Sequence, residues 1–362
     1  MTFEGKRFVG EAAVSVLIDT YNHERFIERA ITSVLEQDMP MDDVEILVVD
    51  DGSTDRTSEI ARRFGPRVRY LRKENGGQAS AFNLGFAHVS GQVVAMLDGD
   101  DWWENQKLRL VLDAFRENPE IGAIGNGLRE VDADGRVLDA FSPNLSGQFF
   151  LRTRKEGIQF GSLMTFMGTS RLTLRRSVLE KILPVPQDLV IEADEYLATL
   201  GVAISGGLIL TQSLTNYRYH PGNLYQYGKF SLEKARRKSK VLQCLVRELP
   251  VRLQALGVSP ESVAAMLRPR KIEAERLRLM VEGGMSWETF RAEREASRVT
   301  YKDFSLGYRL FHAMVLSLAL TMPPKWFYRV RNWYADRNLH RLREILGKPT
   351  LADTFVQRKA GP

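Results

Sequence analysis

The sequence predicts an α/β protein: a doubly wound, mostly parallel sheet flanked by helices, followed by an α-helical C-terminal extension. Two observations carry this expectation. Residues 13–125 alternate short β-branched apolar runs with amphipathic stretches at helical spacing, the pattern of βαβ units on a parallel sheet. Beyond residue 228 no strand-like run of comparable quality remains, and the chain becomes rich in arginine.

Residues 13–18 (Ala-Val-Ser-Val-Leu-Ile) form the first strand, and Phe26, Ile27, Ala30, Ile31, Val34 and Leu35 lay an apolar stripe along the helix that follows. Residues 44–49 are a second strand, then come an Asp/Gly/Ser turn and a helix through Ile60 and Phe64. A shorter third strand spans 67–71, and the Gly76-Gly77 break opens a helix to about Val89. Residues 92–97 are the fourth strand, Leu108, Leu112 and Phe115 mark the next helix, and 121–124 is another strand. From 127 to 228 the pattern loosens. Asp134-Gly135 between Val131 and Val137 signals a hairpin, residues 171–174 a strand, and 177–182 a short helix ending before Pro184 and Pro186.

With 362 residues the chain can bury a core without disulfides, and Cys244 is its single cysteine, so a reducing, cytoplasmic setting is expected. The start, Met-Thr-Phe-Glu-Gly-Lys-Arg-Phe, has no apolar run behind its basic pair and does not read as a secretory signal. The longest apolar run, residues 316–322, is too short to span a bilayer. The formal net charge of +6 conceals a division. Residues 1–228 hold 24 Lys+Arg against 32 Asp+Glu, a net −8, and residues 229–362 hold 27 against 13, a net +14.

Ligands of doubly wound sheets bind at the carboxyl ends of the strands, and there this chain concentrates carboxylates. The second strand runs into Asp50-Asp51-Gly52-Ser53-Thr54-Asp55, the fourth into Asp98-Gly99-Asp100-Asp101, and a later segment reads Glu192-Ala193-Asp194-Glu195. Any one of these is an ordinary helix cap or turn. Several at one sheet edge would repel unless a cation sits among them. Clustered carboxylates with no Cys or His in the cluster suit a hard divalent ion, Mn²⁺ or Mg²⁺, whose remaining positions a diphosphate can fill. After the first strand stands Ile18-Asp19-Thr20-Tyr21-Asn22, neither a Gly-x-Gly-x-x-Gly fingerprint nor a Walker A loop, which disfavours dinucleotide and ATP sites of those types.

Residues 14–22, 48–55 and 91–101 together resemble the family 2 glycosyltransferases of GT-A fold, which move a sugar from a nucleotide diphosphate sugar to an acceptor. The resemblance is ordered over 13–115, continues more weakly to about 225 and leaves the rest uncovered. It implies a GT-A catalytic domain over 1–228, with nucleotide-sugar binding in 13–125 and the acceptor part in 126–228. It also implies that Asp51 bonds the base, that Tyr21 beside Thr20 stacks near it, and that Asp100 touches the ribose. Asp98 would contact the nucleotide sugar, and Asp101 would hold the metal as the last member of an Asp-x-Asp-type motif. Asp194 matches the general base, with Glu195 as its rival, since the two would point about 100° apart on a helix. Tyr217-Arg-Tyr-His220 resembles a later element of the family and places His220 near the diphosphate or metal. Gly76 and Gly77 would face the donor or simply start a helix. Two positions depart from the pattern: Asp19 stands where the family commonly has proline, and the base motif is Ala193-Asp194 rather than Glu-Asp.

The expected activity is therefore metal-dependent, inverting glycosyl transfer to a saccharide or lipid-linked acceptor hydroxyl in surface polysaccharide or glycolipid synthesis. The Gln-x-x-Arg-Trp motif of processive synthases is absent from these residues. A nucleotidyltransferase and a non-catalytic nucleotide-sugar-binding scaffold are the alternatives. For the basic region 229–362 no nucleic-acid motif is present. Leu306, Leu310, Phe311, Met314, Val315, Leu318 and Ala319 at helical spacing precede Trp326, Phe327, Tyr328, Trp333 and Tyr334 among Lys325, Arg329, Arg331 and Arg337. This composition reads either as a peripheral anchor on an anionic membrane surface or as an Arg-rich helix packed on protein.

Overall fold

The structure, a computed structural model, describes residues 12–143, 147–220, 222–223, 231–300, 313, 316–336 and 356–358. Contacts divide the chain into two compact units, one of Met1–Leu151, Ser162–His220 and Gln357–Pro362, the other of Arg152–Gly161 and Pro221–Val356. The ten residues 152–161, expected with the first part, belong to the second.

The first unit is built on one sheet. Its parallel half is β3 (Arg69–Arg72), β2 (Val44–Asp50), β1 (Val14–Thr20) and β4 (Val93–Asp98), adjacent in that order. Every residue of β1 except Asp19 is buried, as a strand with helices on both faces must be. The first strand runs two residues further than its apolar pattern, so Asp19 and Thr20 are strand residues paired with Val49 and Asp50. Helices α1 (Ile27–Leu35), α2 (Thr57–Arg62), α3 (Gln78–Phe86) and α4 (Lys107–Glu117) connect and cover these strands. β5 (Trp102–Trp103) follows the acidic turn after β4.

Beyond β4 the sheet becomes mixed. β9 (Thr173–Arg175) lies antiparallel between β4 and β6 (Ala123–Val131), and β7 (Val137–Pro143) forms the expected hairpin with β6 through Asp134-Gly135. β10 (Gly207–Arg218) runs parallel to β6 and pairs antiparallel with β5 and β8 (Gly147–Phe149). β5, β8 and β10 are absent from the sequence pattern. The 3₁₀ turn Thr169–Arg171 leads into β9, then come α6 (Arg176–Ile182) and α7 (Ala193–Ser205). The core joins one face of β1, β2 and β4 to Ile27, Ile31, Val34, Leu108, Val111 and Phe115.

The second unit is helical. α8 (Leu232–Ala255) and α9 (Pro260–Val281) are N-capped by the Ser231 and Ser259 hydroxyls, which accept from the backbone N–H groups of Lys234 and Ser262. α5 (Arg154–Leu163) starts within this unit, and α10 (Ser286–Thr300) and a helix over Pro324–Asp336 complete its described part. Leu279, Ala292, Ala319, Phe327 and Tyr328 form a core there. Phe327 and Tyr328, which the sequence left as either surface or packed aromatics, are interior, because their helix packs on α9. Leu306, Leu310, Phe311, Met314, Val315 and Arg337 lie outside the described residues, as do the side chains of Trp333 and Tyr334. Among the described residues no helix is long and apolar enough to cross a membrane.

Candidate active site

The carboxylates at the ends of β1, β2 and β4 take distinct roles. Asp50 is fully buried and accepts from Ser53 N–H at 2.7 Å and the Tyr70 hydroxyl at 2.5 Å, so it shapes the turn after β2. Asp51 is held by Lys73 Nζ at 2.8 Å and by the N–H groups of Gly76 and Gly77 at 2.9 and 2.7 Å. The Gly76-Gly77 break thus wraps the carboxylate just after β2 while it opens α3. Gly77 has φ +82°, and a Cβ there would stand 2.6 Å from Val190, so only glycine fits. Asn22 and Ser53 lace the loops after β1 and β2 together: Asn22 N–H donates to Ser53 Oγ, and Thr54 N–H donates to Asn22 Oδ1. Asn22 has φ +56°, and Tyr21 beside it is exposed.

The acidic turn after β4 is the centre of the site. Asp98, Asp100 and Asp101 bring carboxylate oxygens within 4.8 Å of one another. Desolvation pushes Asp98 well above the usual carboxylate range, and the charges of Asp19, Asp100, Asp101 and Asp194 add to it. Burial and Asp100 push Asp101 up to about 7. Burial and Asp100 also raise Asp19, with Asp194 contributing. Asp100 alone is lowered: burial opposes it, but His23 at 3.8 Å and His220 Nε2 at 2.9 Å favour its charged form. Burial in turn lowers His23 against the pull of Asp100. Arg218 N–H donates to Asp101 Oδ1 at 2.8 Å, while Asp101 Oδ2 and Asp19 Oδ1 are buried with no hydrogen-bond partner among the described residues. Buried carboxylate oxygens left without donors in a set of like charges are the chemistry of a hard-cation site. Asp98, Asp100 and Asp101 fit such an ion, and His220 bonds one of them.

Asp194 reaches this cluster from another part of the chain. Its Oδ2 accepts from Thr169 N–H at 2.8 Å and Thr169 Oγ1 at 3.1 Å. The adjacent Ser170 hydroxyl accepts from Asp98 N–H at 3.0 Å and donates to Asp98 Oδ2 at 3.3 Å. Two consecutive residues therefore hold Asp194 and Asp98 in a fixed relation. The Ser170 carbonyl is itself gripped by Trp103 Nε1 (2.7 Å), Lys107 Nζ (2.6 Å) and Thr215 Oγ1 (2.9 Å). Desolvation, then Arg171, lowers the fully buried Lys107 well below a normal lysine. Gln78 adds a second brace, donating to Thr169 Oγ1 and accepting from Ala193 N–H, both at 3.0 Å. Asp194 acts on Asp19 and Asp98. Glu195, one position on, is buried.

The site thus gathers Thr20, Asp98, Asp100, Asp101, Asp194 and His220. Thr20 Oγ1 lies 3.2 Å from His23 Nδ1, and a Cβ on Gly99 would stand 2.6 Å from that hydroxyl. Asp51, Gly76 and Gly77 form a neighbouring bracket. His23, Gln78, Thr169, Ser170, Lys107 and Arg218 escaped the sequence reading. Of these, Arg218 lies inside the Tyr217–His220 element and Gln78 directly follows Gly76-Gly77.

Carboxylates thus gather at the strand ends of a doubly wound sheet, with Asp194 tied to Asp98 through Thr169 and Ser170. The family model for glycosyl transferase family 2 matches residues 15–183. An uncharacterized glycosyltransferase of Nostoc sp. strain PCC 7120 is 33% identical over 235 residues, 63% of this chain and 71% of that protein. The chain belongs to glycosyltransferase family 2. The chondroitin synthase of Pasteurella multocida strain Pm70 is 34% identical over 128 residues, 34% of this chain but only 13% of that much longer protein. Among solved structures, S. aureus TarS 1–349 in complex with UDP-GlcNAc aligns with a TM-score of 0.52 at 19% identity, over 81% of this chain and 94% of that one. The fold is accordingly of the GT-A type.

Proposed function

We propose that this chain is a metal-dependent, inverting glycosyltransferase that moves one sugar from a nucleotide diphosphate sugar to a hydroxyl of a saccharide or lipid-linked acceptor. The acceptor belongs to surface polysaccharide or glycolipid synthesis on the cytoplasmic side of the membrane. The observation that carries this reading is the turn Thr169-Ser170, which holds Asp194 and Asp98 together.

Asp98, Asp100 and Asp101 would hold Mn²⁺ or Mg²⁺, with His220 against Asp100. When bound, such an ion supplies positive charge for the leaving diphosphate. Asp51 and its bracket of Gly76 and Gly77 would line the nucleoside end, Tyr21 would stack there, and Thr20 and Asp100 would meet the ribose. Asp194 takes the proton of the acceptor hydroxyl as that oxygen attacks the anomeric carbon. The bond to the diphosphate oxygen breaks on the opposite face, and its electron pair leaves with the nucleoside diphosphate. A base opposite the leaving group makes this one displacement with inversion. A protonated Asp194 ends the cycle and returns its proton to water.

TarS binds UDP-GlcNAc in its complex, so UDP-sugars are the first donors to test, followed by GDP- and dTDP-sugars. With Mn²⁺ or Mg²⁺ present, slow release of nucleoside diphosphate is expected without acceptor, and Asp101→Ala should lower it about 100-fold or more. No release from any donor, or an Asp101→Ala variant equal to wild type, would defeat the proposal.

A further inference from the structure

Large apolar side chains exposed singly on a surface need no explanation, but a contiguous set does. The second unit carries such a set on two touching turns. The first turn joins α9 to α10 and presents Met285, 62% exposed, with Trp287, 51% exposed, at the second position of α10. The second precedes the helix Pro324–Asp336, whose third residue is Trp326, 60% exposed. Ser286 Oγ donates to the Met322 carbonyl at 2.9 Å, and a Cβ on Gly283 would stand 3.2 Å from Lys325 Cε. The two turns are therefore one surface.

Both helices repeat the same arrangement. Arg291, one turn after Trp287, lays its guanidinium 5.0 Å from the indole centroid. Arg329 and the exposed Val330 follow Trp326 by three and four residues and so share its face. Lys325 and Arg329 make no ion pair among the described residues. The stretch 229–362 has a net charge of +14. Phe327 and Tyr328, between the exposed positions, are buried and fix the helix that presents Trp326.

We propose that the patch carrying Met285, Trp287 and Trp326 docks on an anionic lipid surface. This goes beyond the transferase reading and does not depend on it. Indole rings at helix starts beside Lys and Arg match the interfacial zone of a bilayer, where an amphipathic ring and a cation are both accommodated. A second copy of the chain is a poor occupant, because a self-complementary contact would set Lys325, Arg291 and Arg329 against their own equivalents.

The test is flotation of the full chain with phosphatidylglycerol–phosphatidylcholine vesicles and with phosphatidylcholine alone, at low and high salt. Wild type should float with the anionic vesicles at low salt and weaken as salt rises. Trp287→Ser with Trp326→Ser should lower the bound fraction about tenfold or more, and Lys325→Glu with Arg329→Glu should lower it at low salt. Being exposed, these positions should leave circular dichroism and thermal unfolding unchanged. Should the double tryptophan variant fold poorly, quenching by brominated lipid should fall between wild type and Trp326→Phe. The proposal is overturned if wild type stays unbound at low salt, which would leave the patch to protein contact. It is overturned equally if the tryptophan variant floats like wild type, or if a lipid-free dimer dissociates on those substitutions.

Discussion

Asp194 and Glu195 stand next to each other in the first turn of α7, yet their surroundings differ. Asp194 is fastened to Thr169 and acts on Asp98, while Glu195 is buried on a different side of the helix turn. Asp194→Asn should therefore lower acceptor-dependent kcat by about 10²–10⁴ with the donor KM nearly unchanged, whereas Glu195→Gln should stay within a few-fold of wild type. Steady-state kinetics on both variants check this, and equal losses would remove Asp194 from the base role. The carboxylates themselves were legible in the sequence, because Asp at a strand end is chemically conspicuous. Thr169 and Ser170 were not, and Gln78 showed only as the residue after Gly76-Gly77. A hydroxyl or an amide in a loop carries no local signal, and its importance comes from partners 25, 72 and 91 positions away in the chain.

Among the elements, the β-strands buried on both faces could be read directly, since β1, β2 and β4 are nearly continuous apolar runs. β10 could not. Its register against β6 shifts between Leu210 and Ser213 and again between Ser213 and Thr215, and Thr211 and Gln212 are exposed, so neither alternation nor a solid apolar run survives in its sequence. The break before α3 was visible as Gly76-Gly77, but its function required the fold, which turns both N–H groups onto Asp51. Gly65 and Gly77 both have positive φ, but a Cβ at Gly65 would meet nothing within 4 Å. Gly65→Ala should then cost only the conformational term, about 1 kcal/mol, and Gly77→Ala more, about 2–3 kcal/mol, with a raised donor KM. Thermal unfolding and donor titration on the pair check the difference. If Gly77→Ala binds donor like wild type, the bracket around Asp51 is not part of the donor site.

At the scale of the whole molecule, the second unit has an ionic centre of its own. Glu293 is fully buried and takes Arg276 Nε at 2.7 Å, Arg276 Nη2 at 2.6 Å and Arg331 Nη1 at 3.1 Å. Burial would raise its carboxyl, but the hydrogen bonds and charges of Arg276 and Arg331 prevail and hold it below the ordinary value. A depressed folded-state pKa means that this stabilisation is complete above about pH 5. It is lost as the pH falls through the lower, folded value. Glu293→Gln should cost about 3 kcal/mol near neutral pH, the low end for a broken buried pair because water reaches Arg331, and should flatten the acid limb of stability. Denaturant unfolding at neutral and acid pH checks both effects, and an unchanged acid limb would refute the assignment. By itself the sequence determined the alternation of strands and helices, the placing of carboxylates at strand ends and the opposite charge of the two stretches, because periodicity and composition are local. Only the tertiary structure decided which carboxylates share one desolvated volume, which turn braces them, and which of the late aromatics are core and which are surface. Those outcomes depend on strand order and helix packing, which join residues a hundred positions apart.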